Sequence, residues 1–383
     1  MRLEHSARPD MVSSAHSDSP HEARKIVLDA PFALEFFAGS GLVSYALKRH
    51  FKIAWANDNC ERKAAVYRAN HGFDSLSLGS IEDVDGRSLP GASLAWASFP
   101  CQDLSLAGLM GGIKAKRSGL VWEWLRVLDE MPNRPKVLVA ENVVGLVAAE
   151  GGAHYRKLHE ALAARGYRIG AMILDAAHWV PQSRPRVFVV AIASDLAIPS
   201  YLLDTQPNWL HSDAVVRAAN GLDDFLWWSL PRPKPRKKSL ADIVETDAPF
   251  DDFDRAQRNL SMIPKRHLDY LAATSLGAIP GYKRTRLSRQ VLELRFDGLA
   301  GCLRTPEGGS SRQILVFPHR DGLKTRLLTA RETARLMGAP ESYRLPGSYN
   351  DAYRAMGDAV AVPVARFLAK NLLAKVMPNA THC

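Results

Sequence analysis

Residues 31–41 read PFALEFFAGSG, and this stretch decides the fold. An apolar run of strand length stops at Gly39-Ser40-Gly41. The residues after it, Leu42, Tyr45, Ala46 and Leu47, recur at helical spacing. A buried strand, a tight glycine turn and a helix are the opening of a parallel α/β unit. The same grammar continues outward. A strand at Ile53-Ala54-Trp55-Ala56 ends in Asn57-Asp58-Asn59, and a helical pattern follows at Ala64, Ala65, Tyr67 and Ala69. Further strands are predicted at Leu94 to Ala97, Val137 to Ala140, Ala171 to Leu174 and Val187 to Ala193, with helices at Leu120 to Leu128 and Tyr155 to Ala164. Strand and helix alternate from Phe32 to Ala193, which predicts an α/β fold: a doubly wound, mostly parallel sheet with helices on both faces.

Beyond about Asp195 the character changes. Residues 204–320 hold Pro-rich and basic pieces, such as PRPKPRKK at 231–238, and few clean periods. They suggest a second, smaller, loop-rich domain. Helical patterns return at Leu328 to Met337 and Val362 to Val376. The expected organisation is a flexible tail at 1–28, an α/β domain at 29–200, a second domain at 201–325, and a return to the first domain at 326–383.

The 383 residues are 46% hydrophobic and 23% charged, which excludes wholesale disorder. The apolar run Val187 to Ala193 is too short to span a bilayer, and the first 30 residues carry no apolar segment of a secretory signal. The spacing of Cys60, Cys101, Cys302 and Cys383 fits neither a disulfide framework nor a metal site, so a reducing, cytoplasmic setting and no metal are expected. The formal charge is +10, and 13 Lys and Arg against 7 Asp and Glu between Arg232 and Arg289 supply +6 of it. Such a segment suits contact with backbone phosphates, and equally a solvated face.

Four polar motifs sit at strand ends. Glycines in FAGSG let the backbone approach a ligand, and Asp58 at the next strand end can accept hydrogen bonds from ribose hydroxyls. This is an adenosine-binding pattern that a dinucleotide enzyme would share. Cys101, in Phe99-Pro100-Cys101-Gln102, follows the strand LAWA, a setting that can stabilise a thiolate or simply bury a small side chain. Glu141-Asn142-Val143 places a carboxyl at another strand end. Gln182-Ser183-Arg184-Pro185-Arg186 spaces two guanidinium groups onto one side of an extended segment.

In this order, FAGSG, PCQ, ENV and QSRPR resemble the signature motifs of the DNA (cytosine-5) methyltransferase family, of bacterial type. RLLTARETARLMGAP (326–340) and YRAMGDAVAVPV (353–364) resemble that family's last two motifs. The resemblance implies the Rossmann-like fold of class I S-adenosylmethionine-dependent methyltransferases, with the middle segment as a target-recognition domain. It implies methyl transfer from S-adenosylmethionine to C5 of a cytosine flipped out of a specific double-stranded DNA sequence, through a covalent cysteine–C6 intermediate. Cys101 would be the nucleophile, Glu141 would hold and protonate N3, Arg186 would contact O2 and Arg184 would be a supporting donor. Phe37, Ser40, Gly41 and Leu42 would surround the cofactor, and Asp58 would bind its ribose. Asn59, Ser80, Ile81, Pro100 and Leu120 would line the site, with Asp358, Ala359 and Val360 closing it. Gln102 and Ser105 would meet DNA from a loop running to about Leu120 that closes over the target base. The chain departs from the family at Asn59, where an aromatic residue is frequent, at Ser80 in place of an Asp, and at Asp358-Ala359 in place of Asn-Ser.

In the middle domain, Arg304, Arg312 and Gln313 flank Gly308-Gly309-Ser310-Ser311 and are of types that read base edges or bind phosphate. Trp227-Trp228 reads as packing rather than a stacking platform. The implied partners are double-stranded DNA and a cognate restriction endonuclease acting separately, for a monomer at the bacterial nucleoid. A tRNA cytosine methyltransferase, a dinucleotide-dependent oxidoreductase and a DNA-binding relative without activity are the rival readings. The oxidoreductase gives no role to PCQ, ENV or QSRPR, and the inactive relative would be expected to lose Cys101 or Glu141.

Overall fold

In β1 (Phe32–Phe36) the side chains leave the sheet on alternate sides: Ala33 joins one apolar layer, Leu34 and Phe36 the other. The computed structural model describes residues 30–100, 119–305 and 312–377. The same alternation recurs in β4, where Leu94 and Trp96 face the first layer and Ala95 and Ala97 the second. A sheet buried on both faces needs helices on both, and the chain supplies them.

The order is β1, α1 (Leu42–Leu47), β2 (Lys52–Asp58), α2 (Glu61–His71), β3 (Leu76–Leu78), β4 (Leu94–Ala97), α3 (Leu120–Glu130), β5 (Val137–Val143), α4 (Gly145–Ala148), α5 (Ala153–Ala163), β6 (Tyr167–Asp175) and β7 (Pro185–Ala193). The seven strands lie in the order β3-β2-β1-β4-β5-β7-β6. All neighbours are parallel from β3 to β5, and β7 runs antiparallel to both β5 and β6. Residues 176–184, which join β6 to β7, are too few for a helical crossover, so the chain must turn back and the sheet is mixed.

Beyond it, β8 (Leu203–Asp204) and β9 (Trp227–Trp228) form a small antiparallel pair, with α6 (Asp213–Ala219) between them. Then α7 (Phe253–Leu260) and α8 (Lys265–Ala273) precede a second sheet of β10 (Ile279–Arg286), β11 (Arg289–Leu294), β12 (Gln313–His319) and β13 (Gly322–Leu327), ordered β11-β10-β12-β13 and antiparallel throughout. Its own apolar cluster joins Ile279, Leu292, Ile314 and Val316 to Ile263 and Leu271.

The chain then returns to the first sheet. Thr329 and Ser348 cap α9 (Ala330–Leu336) and α10 (Tyr349–Asp358) with reciprocal bonds to Glu332 and Asp351, which fixes where both helices start. The helical stretch expected at 362–376 is α11 (Val362–Leu368), a π turn at Ala369–Leu373 and α12 (Ala374–Val376). Among the described residues no helix is long and apolar enough to cross a membrane.

Candidate active site

Strand register sets the site. Phe36 in β1 pairs with Ala97 in β4, and Ala97 with Ala140 in β5, so FAGSG and Ser98-Phe99-Pro100 leave the sheet at one edge, where Glu141 and Asn142, still paired to β7, run on past β4. Antiparallel β7 brings its beginning to that same edge, with Arg186 opposite Val143. Asn142 donates from Nδ2 to the carbonyl of Phe99 at 2.9 Å and so ties the end of β5 to the segment leading to Cys101.

Glu141 is 6% exposed, and Arg186 Nε stands 3.3 Å from its Oε1. Burial raises the Glu141 pKa, while Arg186, Arg184 and a hydrogen bond from Ser98 pull it down; the net direction is up. A carboxyl held this way keeps its proton more readily than a solvated one. Trp96 Nε1 donates to Ser98 Oγ at 3.0 Å and fixes that partner.

On the other side of the edge, Asp58 ends β2 and is 7% exposed. Its Oδ2 accepts from Gly39 N–H at 2.8 Å and its Oδ1 from Cys60 N–H at 2.9 Å. Each oxygen keeps a lone pair for a further donor. Phe37 adopts φ 57, a left-handed conformation that costs a non-glycine residue free energy and persists where the surroundings impose it. Gly41 has φ 77, and a Cβ there would fall 2.6 Å from His71 Cδ2 and 2.7 Å from Tyr67 Cδ2, so only glycine fits. From below, Tyr343 donates its hydroxyl to the Ser40 carbonyl, and His71 Nε2 meets the Gly41 carbonyl at 2.9 Å. Ser40 Oγ reaches the Ala355 carbonyl at 3.1 Å. Leu42 is buried at the start of α1. Ser80 caps the turn Ile81–Asp83, Ile81 is buried, Asn59 and Pro100 are exposed, and Leu120 opens α3 half-buried. From α10, Asp358 pairs with Lys63, the Ala359 carbonyl accepts from Arg184, and Val360 is buried. A turned backbone beside an acid with free lone pairs suits a nucleoside ribose, so these residues fit an adenosyl cofactor.

The model of the C-5 cytosine-specific DNA methylase family matches residues 33–374. The chain belongs to that family. It is therefore an enzyme that methylates cytosine in DNA. The methylase is similar to the Type II methyltransferase M.PspPI of Psychrobacter sp., 27% identical over 359 residues that cover 89% of this chain and 78% of that protein. It is also similar to M.Bsp6I of Bacillus sp., 24% identical over 343 residues, covering 88% and 96%. Among solved structures it resembles Entamoeba histolytica methyltransferase EhMeth, with TM-score 0.62 and 14% identity over 91% of this chain and 100% of that one. It likewise resembles S. pombe Dnmt2 methyltransferase, with TM-score 0.56 and 21% identity over 88% and 97%.

Several residues of the methylase stand elsewhere than the sequence suggested. The resemblance makes Arg184 a supporting donor beside Arg186. It is 3% exposed, and its guanidinium donates to the carbonyls of Leu303, Gly357 and Ala359 and to Cys302 Sγ. It is a keystone joining β7, the 301–305 segment and the end of α10. Gln313 was expected at a base edge, but it is fully buried. Its Nε2 donates to the Gly301 carbonyl and its Oε1 accepts from Gly301 N–H, so its amide is spent on backbone. Arg312 donates to Asn350 and lies over the Tyr349 ring, 5.8 Å from its centroid. Arg304 is exposed. Cys101, Gln102 and Ser105 lie outside the described residues, as do residues 1–29 and the Gly308-to-Ser311 turn.

Sequence reasoning missed Cys302, whose Sγ receives Arg184 Nη1 at 3.2 Å and Arg186 Nη2 at 3.6 Å. Burial opposes its thiolate, but Arg184, Arg186 and Arg304 lower its pKa overall. It also missed Glu35, buried beneath the loop, where Ser44 donates to its carboxylate and burial pushes its pKa up to about 8. A lone acid inside the apolar FALEF strand was the available signal. Among the described residues no cluster of His, Cys, Asp and Glu could hold a metal ion.

Proposed function

We propose that the methylase takes its methyl group from S-adenosylmethionine and acts on a cytosine swung out of a specific double-stranded DNA site, through a covalent bond from Cys101 to C6. The observation that carries this reading is the buried Glu141 carboxyl, raised in pKa and 3.3 Å from Arg186, at the strand edge from which the chain runs to Cys101.

Inside a duplex, C6 of cytosine is out of reach of a protein side chain, so the base must leave the stack. The Cys101 thiolate adds to C6, the C5=C6 pair shifts to C4–C5, and the C4=N3 pair takes the Glu141 proton at N3, which leaves an enamine nucleophilic at C5. Arg186 faces the pyrimidine O2 and steadies its developing charge. When bound, the cofactor supplies an electrophilic methyl group to C5. Loss of the C5 proton to water, return of the N3 proton to Glu141 and expulsion of the Cys101 thiolate restore the aromatic ring. Asp58 holds ribose hydroxyls, Phe37 to Leu42 cradle the adenosyl and methionine parts, and Ser80, Ile81, Pro100 and Leu120 flank them. Residues 29–200 and 326–383 carry the chemistry and 201–325 reads the site, with Arg304 and Arg312 as candidate contacts. A restriction endonuclease of the same specificity is the partner such a monomeric methylase would oppose.

A duplex carrying 5-fluorocytosine at the target tests this, because fluorine blocks the final elimination. We expect a protein–DNA adduct that survives denaturing electrophoresis and maps to Cys101, and none with Cys101→Ser. No adduct, or one on another side chain, overturns the reading. Tritiated methyl transfer to tRNA alone would reassign the substrate.

A further inference from the structure

Arg184 and Arg186 converge on one sulfur. Arg184 Nη1 donates to Cys302 Sγ at 3.2 Å and Arg186 Nη2 at 3.6 Å. The other nitrogens of Arg186 are also placed: Nη1 donates to the Pro185 carbonyl at 2.9 Å, and Nε stands 3.3 Å from Glu141. Arg184 is buried, and among the described residues its remaining hydrogen bonds go to the carbonyls of Leu303, Gly357 and Ala359. A buried guanidinium bonded to neutral carbonyls and one sulfur has its compensating charge only if the sulfur carries it. The groups around Cys302 favour that. Burial opposes its thiolate, but Arg184, Arg186 and Arg304 outweigh burial, and its pKa is lowered. From β10, Tyr282 donates its hydroxyl to the Cys302 carbonyl, and burial holds that phenol and the Tyr353 phenol of α10 neutral. Asp358 bears on the cluster more weakly, behind Cys302 and Glu141 in its effect on Arg184.

Glu141 has the opposite requirement. It must hold a proton to give to N3, yet a guanidinium 3.3 Å away favours its carboxylate. An anion bonded to another nitrogen of Arg186 offsets that pull. We propose that Cys302 is a positioning residue for methyl transfer: its sulfur, as a thiolate, is the counter-charge of Arg184 and Arg186, fixes the Arg186 guanidinium toward the base and leaves Glu141 free to keep its proton. The sulfur forms no bond to substrate, and its own proton goes to solvent. This rests on the reading of Glu141 as the acid for N3.

The test follows kcat against pH for the full-length protein in a tritiated methyl-transfer assay on duplex DNA. Cys302→Ser keeps a hydrogen-bonding side chain of similar size and loses the charge, while Cys302→Asp restores an anion. Without the anion the Glu141 carboxylate forms more easily, so the alkaline fall in kcat moves to lower pH. On that limb Cys302→Ser should lose about tenfold in kcat, the equivalent of one pKa unit, and less than about twofold on the acid side. Cys302→Asp should move the limb back toward that of the parent. Equal loss at every pH, or a serine variant that matches the parent, overturns the proposal. The ultraviolet thiolate absorbance of the parent minus that of Cys302→Ser, titrated with pH, reads the charge directly. A thiolate forming below the ordinary thiol range is expected, and its absence overturns the counter-charge. If Glu141→Gln keeps both the rate and the alkaline limb, the acid reading itself falls and the positioning role with it, even where the thiolate is present.

Discussion

Glu141 and Glu35 are both buried acids near the carboxyl edge of the central sheet, and they differ in what surrounds them. Glu141 faces Arg186, so its carboxyl has a guanidinium through which to work on a base. Removing its proton should cost the reaction most of its rate. Glu141→Gln is expected to lower kcat about 10²–10⁴-fold, the usual worth of a placed general acid, in a tritiated methyl-transfer assay. Glu35 has no such outlet: Ser44 donates to it, and Ser44 in turn meets Tyr67 at 3.2 Å. Its pKa is raised from 4.5 to about 8, by burial against the Ser44 hydrogen bonds. Its contribution to stability is thus fully present below about pH 4.5 and lost as pH rises through about 8. The melting temperature should fall across that window, and Glu35→Gln, which stays neutral, should flatten the fall. A variant that loses stability as steeply as the parent would contradict this.

At the scale of elements, two junctions carry strain or load. The β10–β11 hairpin closes through Leu287 and Ser288, with φ 44 and 62, after the pair Arg286–Arg289. A two-residue turn with both residues left-handed wants Asn-Gly, and a branched, fully exposed Leu is a poor occupant. Leu287→Asn with Ser288→Gly should raise stability by about 1 kcal/mol, read as a higher urea midpoint at unchanged slope. Arg184 is the opposite case. Its guanidinium satisfies three carbonyls, two of them in buried bonds and one partly buried, from two distant segments. Arg184→Ala would leave them unpaired and should cost about 3 kcal/mol or more. If that variant melts like the parent, the keystone role is wrong.

For the whole molecule, the second sheet has its own apolar cluster, while Leu315 of β12 joins the core of the first. Gln182 bridges Ala300, accepts from Leu303 N–H and donates to the Leu336 carbonyl. Part of the basic excess between Arg232 and Arg289 is neutralised from outside that segment, since both Arg284 and Arg286 pair with Glu293. Lys234, Lys237 and Lys238 are exposed. If these face phosphates, Lys237→Gln with Lys238→Gln should weaken duplex binding alike for all sequences. It should also reduce the slope of log affinity against log salt by about 0.9 per lost contact. An unchanged slope would move the DNA face elsewhere.

The alternation of strand and helix, the buried strands and the motifs at their ends were legible because they follow from local pattern. Period-two burial marks a strand, glycine marks a turn, and a polar residue after an apolar run marks a strand end. Leu94–Ala97 coincides with its expected span, and the strand expected at 171–174 runs from Tyr167 to Asp175. The reversal of β7 was not legible, because pairing direction depends on how far the chain must travel to its neighbour. Nor was the fate of side chains that leave the motif level. Arg184 and Gln313 are polar types suited to DNA, but their partners lie more than a hundred residues away for one and in a buried backbone turn for the other. The sequence by itself determined the α/β class and the order of the polar motifs along the chain, since those are written in local spacing, and through those motifs the resemblance to the family. Only the tertiary structure decided which polar groups face that edge and which are consumed in holding it, because a hydrogen-bond partner is chosen by proximity in space.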